Sequence, residues 1–113
     1  MITIYHNPRC SKSRQTLELL KSKGIEPEVN LYLENPPSAQ GLTDLLQKLG
    51  IEANQLIRKT EAHYKENLKG LELTDHQLID AMIQNPKLIE RPIVVAGNRA
   101  ALGRPPEAVL EII

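Results

Sequence analysis

Aromatic side chains are nearly missing from this chain, which has no Phe, no Trp and three Tyr among its 113 residues. Any core must therefore be aliphatic, built mainly from Leu and Ile. Cysteine is scarcer still: a single one excludes an internal disulfide and any zinc site of the Cys-rich kind. No metal site is expected. An excess of one charge is also lacking, with Lys+Arg and Asp+Glu at 14 each. That balance argues against general nucleic-acid binding, which leans on a basic surface, but it leaves room for a local anion site. No apolar run is long enough to span a bilayer. The N-terminus turns polar within five residues, so no signal peptide is visible. The composition reads as a soluble, cytoplasmic protein of a reducing compartment, with no membrane association. What is present, 113 residues with 41% apolar, fits a single domain with one core.

The lone cysteine sits in Tyr5-His6-Asn7-Pro8-Arg9-Cys10-Ser11-Lys12-Ser13-Arg14. A short apolar run, residues 2–5, precedes it, and a helical pattern begins near Ser11. If the run is a strand, Cys10 lies in the turn that opens the helix. N–H groups there have no intrahelical partner, and the helix dipole adds about half a positive charge. Such an end attracts anions and favours thiolate over thiol, lowering a cysteine pKa from its usual ~8.5. His6, Arg9, Lys12 and Arg14 can add positive potential. The competing reading is an inert buried cysteine acting as a small hydrophobe. Two features oppose it: polar and basic neighbours, and a turn forecast by Asn7 and Pro8.

Along the chain, residues 2–5 predict a β-branched strand. Leu17 and Leu20 share one face of the first helix, which Gly24 closes. Val29, Leu31 and Leu33 alternate with Asn30 and Tyr32, predicting a half-buried strand parallel to the first. Ser38 is a candidate N-cap for a helix with an apolar stripe of Leu42, Leu45, Leu46 and Leu49, ending at Gly50. A short segment near 53–57 and a weak helix over 60–68 follow. Thr74 to Gln77 forms a capping box, opening a helix that buries Leu78, Ile79, Met82 and Ile83 and stops before Asn85-Pro86. The strand Ile93-Val94-Val95 leads through Gly97-Asn98 into an antiparallel return over 99–102. Gly103-Arg104-Pro105-Pro106 then opens a final helix with Val109, Leu110, Ile112 and Ile113 on its apolar face. The expected architecture is α/β: one domain spanning 1–113, with an all-helical insertion at about 38–85.

Arg58, Arg91 and Arg104 each lie at an element boundary, where loops converge on sites. Singly, each reads as a surface cation. As a set they suit a tetrahedral oxyanion, which guanidinium groups bind in bidentate fashion. Pro92 either starts an edge strand or is a cis-proline beside Cys10; the sequence leaves both open. His6 either lowers the thiol pKa or caps the turn. His63 and His76 lie on polar helices and read as solvated.

Two motifs can be set aside. A tyrosine-phosphatase loop needs Arg six positions after its cysteine, where this chain has Thr16. A dithiol oxidoreductase needs a second cysteine where this chain has Ser13. Cys10 cannot resolve its own oxidised form, so turnover needs an outside thiol.

Taken in order, Ile4 to Arg14, Leu31 to Pro37, Leu56-Ile57-Arg58-Lys59, Glu90 to Val95 and Gly103 to Glu107 resemble the glutaredoxin-coupled arsenate reductases, the ArsC type. The resemblance spans essentially the whole chain, and Arg9 and Lys12 are closer to a housekeeping branch of that family. Well-studied members carry a longer C-terminal tail. The resemblance implies a thioredoxin-like core with a mixed four-stranded sheet and the helical insertion. It implies Cys10 as nucleophile, His6 holding it as thiolate, and Arg58, Arg91 and Arg104 as oxyanion ligands. Ser13 would lie near the sulfur, and Pro92 would be the cis-proline of thioredoxin folds. The implied activity reduces arsenate to arsenite, with no bound cofactor, glutathione as co-substrate and glutaredoxin as partner. Two alternatives stay open: a thiol reductase or deglutathionylase acting on another substrate, and a non-catalytic regulatory binding module of thioredoxin-like fold.

Overall fold

A computed structural model describes residues 2–113. By internal contacts the chain forms two compact units, residues 2–35 with 91–113, and residues 36–90.

The first unit is built on a sheet. Strand β1 (Ile2–Tyr5) leads through a turn into helix α1 (Ser11–Ser22) and on to β2 (Glu28–Asn30). Later come β3 (Ile93–Ala96), β4 (Arg99–Leu102) and a 3₁₀ helix (Pro106–Glu111). The strand order is β2-β1-β3-β4. β1 runs parallel to β2 and antiparallel to β3, and β3 runs antiparallel to β4. Ile4 sits opposite both Val29 and Val94. This is the mixed four-stranded sheet of a thioredoxin-like core. Ile93 and Val94 are both fully buried, so β3 is covered on two faces, as its unbroken apolar run requires.

Ile4, Leu20, Val94 and Val109 form the centre of an aliphatic cluster that includes Leu17 and Ile25. This core uses no aromatic ring. Helix α1 ends in a Schellman motif: Ile25 N–H donates to the Leu20 carbonyl at 3.1 Å and Gly24 N–H to that of Lys21 at 3.0 Å. Gly24 adopts φ +77°, which a side chain would resist.

Two expectations for this unit fail. The second strand covers 28–30, not 29–33, and its alternation is inverted. Val29 is 44% and Leu33 37% exposed, whereas Tyr32 is 1% exposed. The cause is a turn: Glu34 and Asn35 N–H both donate to the Leu31 carbonyl, which lifts the chain off the sheet after Asn30. β2 is an edge strand, so Val29 has no neighbour on its outer side. The final helix is 3₁₀, not α. Ala108 and Ile112 N–H reach back three residues, to Pro105 and Val109. Of its expected apolar face Val109 is buried, and Ile113 stays 42% exposed.

The second unit contains helices α2 (Ala39–Leu49), α3 (Ala53–Leu56), α4 (Ala62–Asn67) and α5 (Asp75–Gln84), then a 3₁₀ turn (Pro86–Leu88). Ser38 caps α2 through a 3.0 Å bond from Gly41 N–H. Thr74 and Gln77 close the expected capping box on α5. α2 and α3 both pack on α5, burying Leu42, Leu45, Leu56 and Met82. Helix α4 buries nothing, as its polar sequence demands. An antiparallel bridge joins Ile57 to Ile89. Among the described residues no helix is long and apolar enough to cross a membrane.

Candidate active site

The site grows from the turn between β1 and α1. Asn7 closes that turn twice. Its carbonyl accepts from Cys10 N–H and its Oδ1 from Arg9 N–H, each at 3.0 Å. Cys10 thereby becomes the N-cap of α1, in extended conformation, and its carbonyl accepts the first helical bond from Arg14 N–H. The thiol is partly exposed and forms no disulfide.

The thiol pKa is lowered from its ordinary value. Partial burial alone would raise it. That is outweighed by the Ser13 backbone N–H, by a hydrogen bond and positive charge from Arg91, and by the Lys12 N–H. Ser13 and Lys12 supply two of the unpaired donors of the first helical turn. Neither makes a closed capping bond to the sulfur, so their effect is mainly electrostatic.

Arg104 lies on the same thiol, its guanidinium 3.7 Å from Sγ. Its Nε donates to the Arg91 carbonyl at 2.7 Å. Arg91 keeps a buried Nε without a hydrogen-bond partner. The Arg91–Pro92 and Arg104–Pro105 peptide bonds are both cis. Pro92 is fully buried, and its carbonyl accepts from Gly103 N–H at 2.9 Å. The approach is so close that a Cβ on Gly103 would collide with Thr16 Oγ1 and lie 2.7 Å from Pro92 Cγ. Two arginines and the helix end therefore meet around one sulfur, and each arginine is followed in the chain by a cis proline.

Of the two roles the sequence left open for His6, the contacts favour the one in the turn. His6 is 6% exposed, and its Nδ1 lies 2.6 Å from Ser13 Oγ. The same hydroxyl accepts from Asn7 N–H at 3.0 Å. Burial, then the charges of Arg14 and Lys21, push the His6 pKa below its usual 6.5. The ring is thus neutral at neutral pH and adds no formal charge near the thiol. Ser13 faces the sulfur with its backbone, while its hydroxyl is taken up by His6 and Asn7.

Within the helical unit Arg58 is ion-paired. Its Nε contacts Glu90 at 2.9 Å and its Nη1 contacts Glu61 at 3.6 Å. Its N–H also donates to the Leu88 carbonyl. His76 is exposed; His63 is half-buried and lies 3.3 Å from the Asn67 amide. The sequence reading missed Thr16, Gly103 and the Arg91 carbonyl. A glycine directly before Arg104-Pro105 was the one available signal for the close approach.

The family model described as the ArsC family matches residues 5–112. The chain belongs to the ArsC family. Within it, the chain is similar to a protein of Escherichia coli strain K12 named uncharacterized protein YfgD, 60% identical over 99% of this chain and 96% of that one. An arsenate reductase of Haemophilus influenzae is 48% identical over 99% of this chain and 98% of its own length. The solved structure of an arsenate reductase from Vibrio cholerae matches with a TM-score of 0.96 at 54% identity, covering 99% of this chain and 97% of that one. The ArsC-family fold and the mixed sheet described above are thus found together in an experimental structure.

Proposed function

We propose that this ArsC-family chain is an arsenate reductase that uses one nucleophilic cysteine, with glutathione and glutaredoxin completing the cycle. The observation that carries the reading is the Cys10 thiol: partly exposed at a helix N-terminus, lowered in pKa, and touched by Arg91 and Arg104. Relatives named arsenate reductase support the choice of oxyanion.

In this scheme Arg91 and Arg104 hold the arsenate oxygens beside the helix end. The Cys10 thiolate attacks arsenic, forming an S–As bond, and one arsenic oxygen leaves as water after protonation. Donors already in place stabilise the charge that builds on the remaining oxygens, which is where such sites gain most of their rate. A glutathione thiolate then attacks the Cys10 sulfur. An S–S bond forms, the S–As electron pair stays on arsenic, and As(V) becomes As(III). The Cys10–glutathione disulfide is opened by glutaredoxin through thiol–disulfide exchange. Neutral His6 takes no proton in this scheme; it fixes Ser13, and so the turn that presents Cys10. No bound cofactor is needed.

The test is a coupled assay with glutathione, glutaredoxin and NADPH regeneration, run with and without arsenate. Arsenate-dependent NADPH oxidation that vanishes in Cys10→Ser supports the reading. Wild-type turnover in Cys10→Ser would end it.

A further inference from the structure

A groove of about 700 Å³ runs beside the Cys10 turn, wholly within the sheet unit. That volume lies in the ~300–1,000 Å³ range of small-molecule sites. His6, Pro8 and Ser11, the last two flanking the Cys10 turn in the chain, line one part of it, and Arg14, Gln15, Leu17 and Glu18 of α1 line the rest. The groove thus starts at the turn that carries Cys10 and follows the helix away from it.

Its charges are arranged unusually. Arg14 and Glu18 lie four residues apart, so they share one helical face. They do not pair with each other: among the described residues no ion pair or hydrogen bond joins Arg14 to Glu18. Arg14 is instead held by the loop, its Nη1 donating to the Pro8 carbonyl at 2.9 Å. Its other donors make no bond among the described residues. Glu18 is exposed, without a hydrogen bond or ion pair there. An oxyanion subsite would not carry a carboxylate. A cation and an anion kept apart across one groove suit a ligand that bears both charges.

We propose that this groove docks glutathione for the reduction step. The γ-glutamyl head carries a carboxylate and an ammonium on one carbon. Arg14 takes the carboxylate and Glu18 the ammonium. Gln15 also lines the groove, where its amide can meet a peptide group. Leu17 gives the groove an apolar contact, and the cysteinyl thiol is left at the Pro8–Ser11 end beside Cys10. The proposal rests on the reading that glutathione is the co-substrate, and it adds where and by what chemistry that thiol is selected.

Two measurements separate the proposal from that reading. The first titrates ¹⁵N-labelled protein with S-methylglutathione, which cannot react. The amides of Arg14, Gln15 and Glu18 are expected to shift in the wild type; their silence up to tens of millimolar overturns the proposal. The second compares glutathione with 2-mercaptoethanol in arsenate reduction. Glu18→Gln and Arg14→Gln should each lower the glutathione preference in kcat/KM by about 5- to 10-fold, less than a full charge-assisted contact because both side chains are exposed. The sign for Glu18→Gln is decisive. Simple attraction of an anionic thiol would improve when a carboxylate is removed, so an unchanged or increased preference overturns the docking site. Shifts in the groove without thiol-dependent arsenate reduction would sustain the docking site and end the reductase reading. Turnover with glutathione preference intact in both variants would do the reverse.

Discussion

The Arg104 Nε donates to the Arg91 carbonyl at 2.7 Å while an Arg104 terminal nitrogen lies 3.7 Å from the Cys10 sulfur. One guanidinium therefore touches the thiol and also anchors the backbone of the residue that supplies the second. The two cations are not independent, and their substitutions should not be additive. Arg104→Lys keeps a charge but lacks the planar fork that makes both contacts. It should lose about 10- to 100-fold in kcat/KM for arsenate, since a charge-assisted bond contributes roughly 1.5–3 kcal/mol. Arg104→Ala should lose more. The double variant with Arg91→Ala should fall short of the product of the two single losses. Steady-state kinetics on the four proteins would check this; strict additivity would mean that the 2.7 Å bond does not couple them.

The lowered thiol pKa has its own signature. Iodoacetamide reactivity should rise with pH through a midpoint below the ordinary alkaline value, because the Ser13 N–H, Arg91 and the Lys12 N–H outweigh burial. Arg91→Ala removes both a hydrogen bond and a charge, so its midpoint should move up. The same shift links to stability. The folded thiol releases its proton more readily than the unfolded one. Between the lowered value and ~8.5 the unfolded chain thus binds more protons, and stability rises with pH. That contribution is present above the unfolded pKa and is lost as pH falls through the folded one. Cys10→Ser should flatten this part of a melting-temperature profile.

Much of this arrangement could be read from the chain because its cues are local. The Gly97-Asn98 hairpin, the capping box at Thr74 and the Schellman glycine after α1 each depend on residues within a turn of one another. Cys10 as an N-cap follows from Asn7-Pro8 and the helical pattern after it. Tyr32 was misread because alternation cannot show where an edge strand stops pairing; the turn onto the Leu31 carbonyl decides that. The closer of the two counter-ions of Arg58 was invisible since Glu90 lies 32 residues away. The role of His6 was left open for a related reason. Its charge state depends on burial first, then on the charges of Arg14 and Lys21 further along the chain, not on its immediate neighbours in sequence.

The His6–Ser13 pair separates folding from chemistry. Ser13→Ala would leave His6 Nδ1 and the Asn7 N–H without their shared partner in a buried place. Each such loss costs about 1–3 kcal/mol, so denaturant midpoints should fall clearly. The Ser13 backbone N–H remains, so the thiol should keep a lowered pKa. A Ser13→Ala variant with wild-type stability, or with an ordinary thiol midpoint, would contradict this division.

His6 also predicts an acid limit. Its folded pKa lies below the usual 6.5, with burial the main cause and Arg14 and Lys21 adding repulsion. Below 6.5 the unfolded chain takes up a proton that the folded ring resists, so stability present above that pH is lost as pH drops toward the folded value. His6→Gln cannot titrate and keeps a group able to bond Ser13. Its melting temperature should be lower than wild type at neutral pH, because the ring volume is lost, yet should fall less steeply as pH drops below ~6.5. Parallel melting profiles for the two proteins across that window would remove His6 as the source of the acid sensitivity.

The closest packing at the site makes the last prediction the most severe. Gly103 carries no side chain because Thr16 Oγ1 and Pro92 Cγ occupy the space, the latter 2.7 Å from where a Cβ would stand. Thr16 is itself fully buried and donates to the Lys12 carbonyl at 2.8 Å, so it cannot swing away without breaking that bond. Pro92 is buried too, and its carbonyl holds Gly103 N–H. Gly103→Ala should therefore cost about 1–3 kcal/mol, the usual penalty for forcing an extra carbon into a filled space. Arg91 and Arg104 directly adjoin the crowded pair in the chain, so the displacement should also reach the thiol. Arsenate kcat/KM should fall even at temperatures where the variant is fully folded. Adding Thr16→Ala removes the hydroxyl and methyl that crowd the new carbon, while Pro92 stays, so Gly103→Ala should cost less stability in the Thr16→Ala background than in the wild type. If Gly103→Ala costs the same in both backgrounds, Thr16 is not what excludes the side chain.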